Sequence, residues 1–139
     1  MIGITFDTGA LVALERRRQR VREILEHALA TDQRITVPAD VVGEWWRGRT
    51  DVRESILASV DVEPLTERLA KLAGEALAAV PGATLVDAIV MASAASRGDV
   101  VYTSDTNDLD RLRRHFPGVR VLAVQATSGP RRGVTRSSA

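Results

Sequence analysis

The chain has no cysteine, and that absence alone removes disulfides, thiol nucleophiles and thiolate metal sites. His27 and His115 are its only histidines and lie far apart, which leaves no multi-histidine metal centre. Lys71 is the only lysine, so Walker-type phosphate loops and Schiff-base chemistry are excluded as well. No apolar run approaches the roughly 18 residues that a membrane span needs. Met1 opens onto strand-like sequence rather than a signal peptide, so a cytosolic protein with no membrane partner is expected. Any chemistry must come from carboxylates, hydroxyls, arginines or a hard metal ion.

What remains is an ordinary soluble composition, 45% hydrophobic and 27% charged, in 139 residues. That length holds one domain with a substantial core. The net charge is +1, but Arg131, Arg132 and Arg136 sit in a terminal stretch without acids; removing those three leaves −2 for the rest. Overall charge therefore calls for no nucleic-acid partner. Residues 126–139 are Ser, Gly, Pro and Arg without periodicity and read as a disordered basic tail.

Within residues 1–125, short branched or aromatic runs alternate with helical periodicity. Ile2, Ile4 and Phe6 alternate into Asp7, a strand followed by a helix over about residues 8–15. Arg16, Arg17, Arg18, Arg20 and Arg22 form a basic cluster at a junction between helices. Val21, Ile24, Leu25, Ala28 and Leu29 then mark one face of a second helix. Ile35 and Val37 form a strand, and Pro38 is placed to begin the helix that carries Glu44, Trp45 and Trp46 before Gly48. Asp51 with Glu54 has the form of a capping box for a helix to about Ser59. Val60 and Val62 suggest a third strand, and Leu69, Leu72, Ala73, Ala76, Leu77 and Val80 another helix. Residues 84–96 are apolar nearly all round apart from Asp87 and predict a largely buried helix. Val100, Val101 and Tyr102 make a fourth strand ending near Asp105. A helix over about residues 106–115 and a strand at Val119, Val121 and Leu122 follow. Strands alternating with helices imply a parallel sheet covered on both faces, an α/β fold.

Four carboxylates stand out by context. Asp7 ends the first strand, Glu44 follows the second, Asp87 is alone in an apolar helix and Asp105 ends the fourth strand, with Asp108 one turn on. Each has a structural explanation. Asp7, Asp87, Asp105 and Asp108 suit helix N-termini, and Glu44 stands three residues before Arg47, the spacing of a solvated pair. Together they suggest more. In a doubly wound sheet the first and fourth strands are often neighbours at the switch point, where Asp7 and Asp105 would face one another and a helix N-terminus could add Asp87. Gathered carboxylates raise one another's pKa values unless a cation neutralises them, and Mg²⁺ or Mn²⁺ suits an all-oxygen site. Arg16 to Arg22, Arg47 and Arg49 could bind phosphates or form solvated faces. Trp45 and Trp46 could stack on a base, although burial is the commoner use.

The stretches FDTGALVAL, VVGEWWRG, TLVDAIVMASA and YTSDTNDL resemble the successive acidic motifs of PIN-domain ribonucleases, and within them the VapC-type toxins of type II toxin–antitoxin pairs. By that resemblance Asp7, Glu44, Asp87 and Asp105 are the catalytic acids. They are also the metal ligands, with Asp108 as an additional acid. It further implies a three-layer α/β/α fold over residues 1–125, a parallel sheet of about five strands ordered 3-2-1-4-5, and Mg²⁺ or Mn²⁺ dependence. Hydrolysis of RNA by an in-line attack of metal-activated water, a cognate antitoxin and a homodimer complete the expectation. Thr103 or Ser104 would hydrogen-bond an acid or the substrate. A non-catalytic PIN-like module binding RNA or protein is the alternative. Other α/β enzymes fit less well: Gly9 occupies the second Asp position of the haloacid-dehalogenase phosphatases. Lys71 is not where receiver domains place theirs, and no Gly-rich loop follows the first strand.

Overall fold

In the computed structural model, residues 1–125 are described; the tail reading for 126–139 lies outside the described residues. Five parallel strands form one sheet in the order β3-β2-β1-β4-β5. They are β1 Ile4–Phe6, β2 Ile35–Pro38, β3 Asp61–Glu63, β4 Val100–Thr103 and β5 Arg120–Ala123. Helices α1 Thr8–Glu15, α2 Gln19–Ala30, α3 Ala39–Trp45 and α4 Asp51–Ala58 connect the first three strands. The chain then crosses back through α5 Glu67–Ala79 and α6 Leu85–Arg97 to β4, and through α7 Thr106–Asp110 to β5. Right-handed crossovers put the first four helices on one face of the sheet and the last three on the other. The three-layer α/β/α arrangement and the strand order are those expected.

The central strand explains why one-sided alternation was only half the pattern. Ile4 and Phe6 are buried, but so is Thr5, because helices cover both faces. Phe6 pairs in register with Tyr102 and Ile4 with both Val100 and Ile35. Ile2 lies outside the strand and is exposed. From Ala88 to Ala94 every residue of α6 is buried, as its all-round apolar sequence predicts. Edge strand β3 spans 61–63, and its Val62 is exposed rather than packed.

Several local expectations are corrected. Thr50, not Asp51, caps α4: its hydroxyl accepts from Arg53 N–H at 3.1 Å, while Asp51 pairs with Arg49 at 3.2 Å. Pro38 ends β2 in extended backbone, so α3 starts one residue later, at Ala39. α3 stops at Trp45, and Gly48 follows with φ of 112° in the loop to α4. The expected 106–115 helix is a five-residue α7 that tightens into a 3₁₀ turn, Arg111–Arg114. Among the described residues no helix is long and apolar enough to cross a membrane.

A buried polar network went unread in the sequence. Arg97, near the end of α6, donates to Asp99 Oδ2 at 2.9 Å, to Thr5 Oγ1 at 2.9 Å, to Ser93 Oγ at 2.8 Å and to Glu63 Oε2. The Thr5 hydroxyl donates in turn to Asp99 at 2.8 Å. This network ties the C-terminal end of α6 to β1, β3 and the entry to β4.

Candidate active site

Because helices in such a fold run antiparallel to the strands they cover, clamping α6 at Arg97 leaves its N-terminus at the carboxyl edge of the sheet. That edge, between β1 and β4, is where strand order reverses, the place at which sheets of this kind bind their ligands. Thr84 caps α6 by accepting from Asp87 N–H at 3.2 Å, which fixes Asp87 in the first turn. A carboxylate there is favoured by the unpaired N–H groups of the helix start.

Asp7 enters from β1. It is buried, its Oδ1 accepts from Ala10 N–H at 2.9 Å, and it therefore caps α1 as its sequence context allowed. Burial pushes its carboxyl from 3.8 up to about 6; the neighbouring Thr103 hydroxyl and the N–H groups that open α1 oppose the rise, and the charge of Asp87 adds to it. Asp87 is raised for the same leading reason, half-burial. The Thr84 hydroxyl opposes that shift, Asp108 and Glu44 push further up, and Arg111 pulls down. Asp87 thus feels the charge of acids carried by α3 and α7, and its own charge acts on Asp7 at the end of β1.

Glu44, exposed on α3, is held by the Thr8 hydroxyl, which donates to Oε1 at 2.5 Å. The expected Glu44–Arg47 pairing is not formed: Arg47 donates to Trp46 O instead. Asp105 lies at the same edge, exposed, and caps α7 by accepting from Asn107 N–H at 2.9 Å. On β4 the residue beside Asp7 is Thr103. Its hydroxyl donates to Asp105 O and accepts from Asp105 N–H, each at 3.1 Å, and so holds the Asp105 loop beside Asp7. Asp108 pairs with Arg111 at 3.4 Å. Thr8 and Arg111 are the residues that sequence reading missed here; only their adjacency to Asp7 and Asp108 pointed to them.

Gly9 has a steric role. A Cβ there would lie 2.1 Å from Ser104 Oγ and 3.1 Å from Ser104 N, so glycine lets α1 close against the end of β4. Trp45 is buried and donates to Glu15 at 3.0 Å, a packing role, with Trp46 edge-on to it and partly buried. Beside Glu44 runs a groove of about 460 Å³ whose walls include Thr8, Val12, Arg16, Trp45 and Arg47.

The donor set suits a hard cation: it offers oxygen only, with five acids, Asp7, Glu44, Asp87, Asp105 and Asp108, against the single guanidinium of Arg111 beside them. Among the described residues no three such side chains lie close enough together to hold a metal ion as they stand.

A three-layer α/β/α sheet with acids at its switch point defines the class. Residues 4–115 match the PIN domain family, and the chain belongs to that family. No curated protein matches it. Among solved structures it is similar to DNA-bound VapBC from Salmonella typhimurium, with 18% identity and a TM-score of 0.73 over 90% of this chain and 100% of that one. VapBC2 from Rickettsia felis bound to a promoter DNA fragment gives 14% identity and 0.70 over 88% and 98%. A toxin–antitoxin complex from Klebsiella pneumoniae gives 19% and 0.67 over 90% and 100%. At these identities the likeness is one of fold.

Proposed function

We propose that the chain is a metal-dependent endoribonuclease hydrolysing RNA phosphodiester bonds, and the toxin of a toxin–antitoxin pair. The observation that carries the enzymatic part is one of placement: Asp7 follows β1, Asp105 follows β4, Asp87 sits in the first turn of α6, and Thr8 beside Asp7 holds Glu44, all in a PIN fold. Asp7, Asp87, Glu44, Asp105 and Asp108 would hold Mg²⁺ or Mn²⁺. The bound ion would supply charge neutralisation and Lewis acidity toward water and phosphate oxygens. Glu44, exposed and among the described residues hydrogen-bonded to the Thr8 hydroxyl alone, is the acid suited to orient a water or accept its proton. Thr8 holds Glu44 by a hydrogen bond, and Thr103 fixes the backbone of Asp105. Arg16 and Arg47 in the groove beside Glu44 suit the phosphates of a single strand.

The toxin reading is supported by the solved structures of like fold, which are described as VapBC and toxin–antitoxin complexes. It brings with it a cognate antitoxin, a second copy of the chain as partner and a cytoplasmic site of action. The purified chain should cleave RNA with Mg²⁺ or Mn²⁺ and lose this activity on chelation or in Asp7→Asn, whose circular dichroism should match wild type. Cleavage undiminished in the variant or in excess chelator would sink the proposal. RNA binding with no divalent-ion binding by calorimetry would make the chain a non-catalytic module.

A further inference from the structure

Arg111 stands at the acidic crevice although no motif marks it. It begins the 3₁₀ turn after α7, its Nη2 lies 3.4 Å from Asp108 Oδ1, and its charge acts on Asp87. Its Nη1 rests over the turn between α5 and α6, so close that a Cβ at Gly82 would lie 2.8 Å from it. Gly82 has φ of 85°, so this residue suits both the turn and the guanidinium above it. An exposed pair three residues apart contributes little to folding, and stability does not call for an arginine here. The planar fork, half-exposed between Asp108 and the Gly82 turn, is chemically a ligand for an anion that itself arrives with a cation.

We propose that Arg111 binds the substrate phosphate. In the metal-free chain its guanidinium balances Asp87 and Asp108; with those carboxylates neutralised by a divalent cation, its fork is free for the two nonbridging oxygens of an RNA phosphate. This rests on the reading of the crevice as a metal-dependent ribonuclease site. Two properties then move in opposite directions when the charge is removed. Arg111 competes with the cation for the same acids, so its loss strengthens cation binding. It also holds the phosphate, so its loss weakens the hold on RNA.

The test uses the full chain and the variants Arg111→Gln and Arg111→Lys. Mn²⁺ affinity is read by calorimetry without RNA, and KM and kcat from cleavage of a labelled RNA oligonucleotide. Arg111→Gln should bind Mn²⁺ severalfold tighter and show a KM about tenfold higher, with a smaller change in kcat. Arg111→Lys should keep the wild-type Mn²⁺ affinity and recover only part of the KM, because an ammonium lacks the fork. Loss of Mn²⁺ affinity together with a fall in Tm in Arg111→Gln would assign Arg111 to structure and overturn the proposal. So would an unchanged KM in a wild-type background that binds Mn²⁺ and cleaves RNA. A wild-type chain that neither binds Mn²⁺ nor cleaves RNA would overturn the nuclease reading itself, and Arg111's role with it.

Discussion

Arg97 Nε lies 2.9 Å from Asp99 Oδ2, and the Asp99 side chain is only 3% exposed. The same guanidinium reaches Thr5 on β1 and Glu63 on β3, so α6 is anchored at its C-terminal end to the central strand and to one edge strand of the sheet. At roughly 1.5 Å of rise per residue, Asp87 stands about 15 Å further up that helix, over the carboxyl edge. The anchor at one end therefore sets how α6 presents an acid at the other.

Removing one partner of a buried ion pair leaves the other charge desolvated and alone. Arg97→Met should therefore lose about 3–5 kcal/mol in a urea titration. Adding Asp99→Asn should restore part of that loss, because the orphaned charge disappears while an acceptor for the Thr5 hydroxyl remains. A loss below about 1 kcal/mol would mean the network is dispensable.

Asp7 trades stability for chemistry. Its carboxyl titrates at about 6 in the fold against 3.8 ordinarily, so the folded state holds the proton more tightly than the unfolded state does. Its contribution to stability is fully present below pH about 4 and is lost as pH rises through about 6, a difference on the order of 3 kcal/mol. Asp7→Asn keeps an oxygen to accept from Ala10 N–H. The variant should be more stable than wild type at pH 7.5, with the gap closing by pH 4.5, and inactive toward RNA. Denaturant melts at the two pH values decide it; a variant less stable than wild type at pH 7.5 would count against the raised carboxyl.

The same protonation competes with a cation. Divalent-ion affinity should hold steady above pH about 6 and fall by up to about tenfold per unit below it. Proton release on binding near pH 6 should appear as a dependence of the calorimetric heat on buffer ionisation. An affinity independent of pH between 5 and 7 would show that Asp7 is not a ligand.

Gly9→Ala should cost about 1–3 kcal/mol through overpacking against Ser104. Ser104→Gly in the same chain removes both the hydroxyl and the Cβ that the new methyl meets, and should restore much of the loss by thermal melting. A neutral Gly9→Ala would show that α1 can shift away from β4 without cost.

The helices and strands were legible in the sequence where a local rule acts. The apolar run around Asp87 predicted a buried α6, and the spacing of Leu69, Ala73 and Ala76 predicted the packed face of α5. Local rules failed where two neighbours compete for one role: Thr50 and Asp51 are both good caps, and only the extended backbone at Thr50 shows which of them took it. They failed again at Glu44, whose in-sequence partner Arg47 turns away while Thr8, 36 positions earlier, supplies the hydrogen bond.

The sequence by itself determined the alternation that makes a covered parallel sheet, the ends of its strands and the identity of the acids placed there. Those properties depend on residues within a turn or two of one another, so periodicity and chain chemistry carry them. Only the tertiary structure decided that Thr5 and Asp99 meet across 94 positions and that Arg97 clamps both. It alone brought Asp87 within the field of Asp7, Glu44 and Asp108, and laid Arg111 over Gly82. The reason is the crossover between β3 and β4. It brings α6 back over β1 from the far side of the sheet, and no local pattern records what a helix meets when it returns.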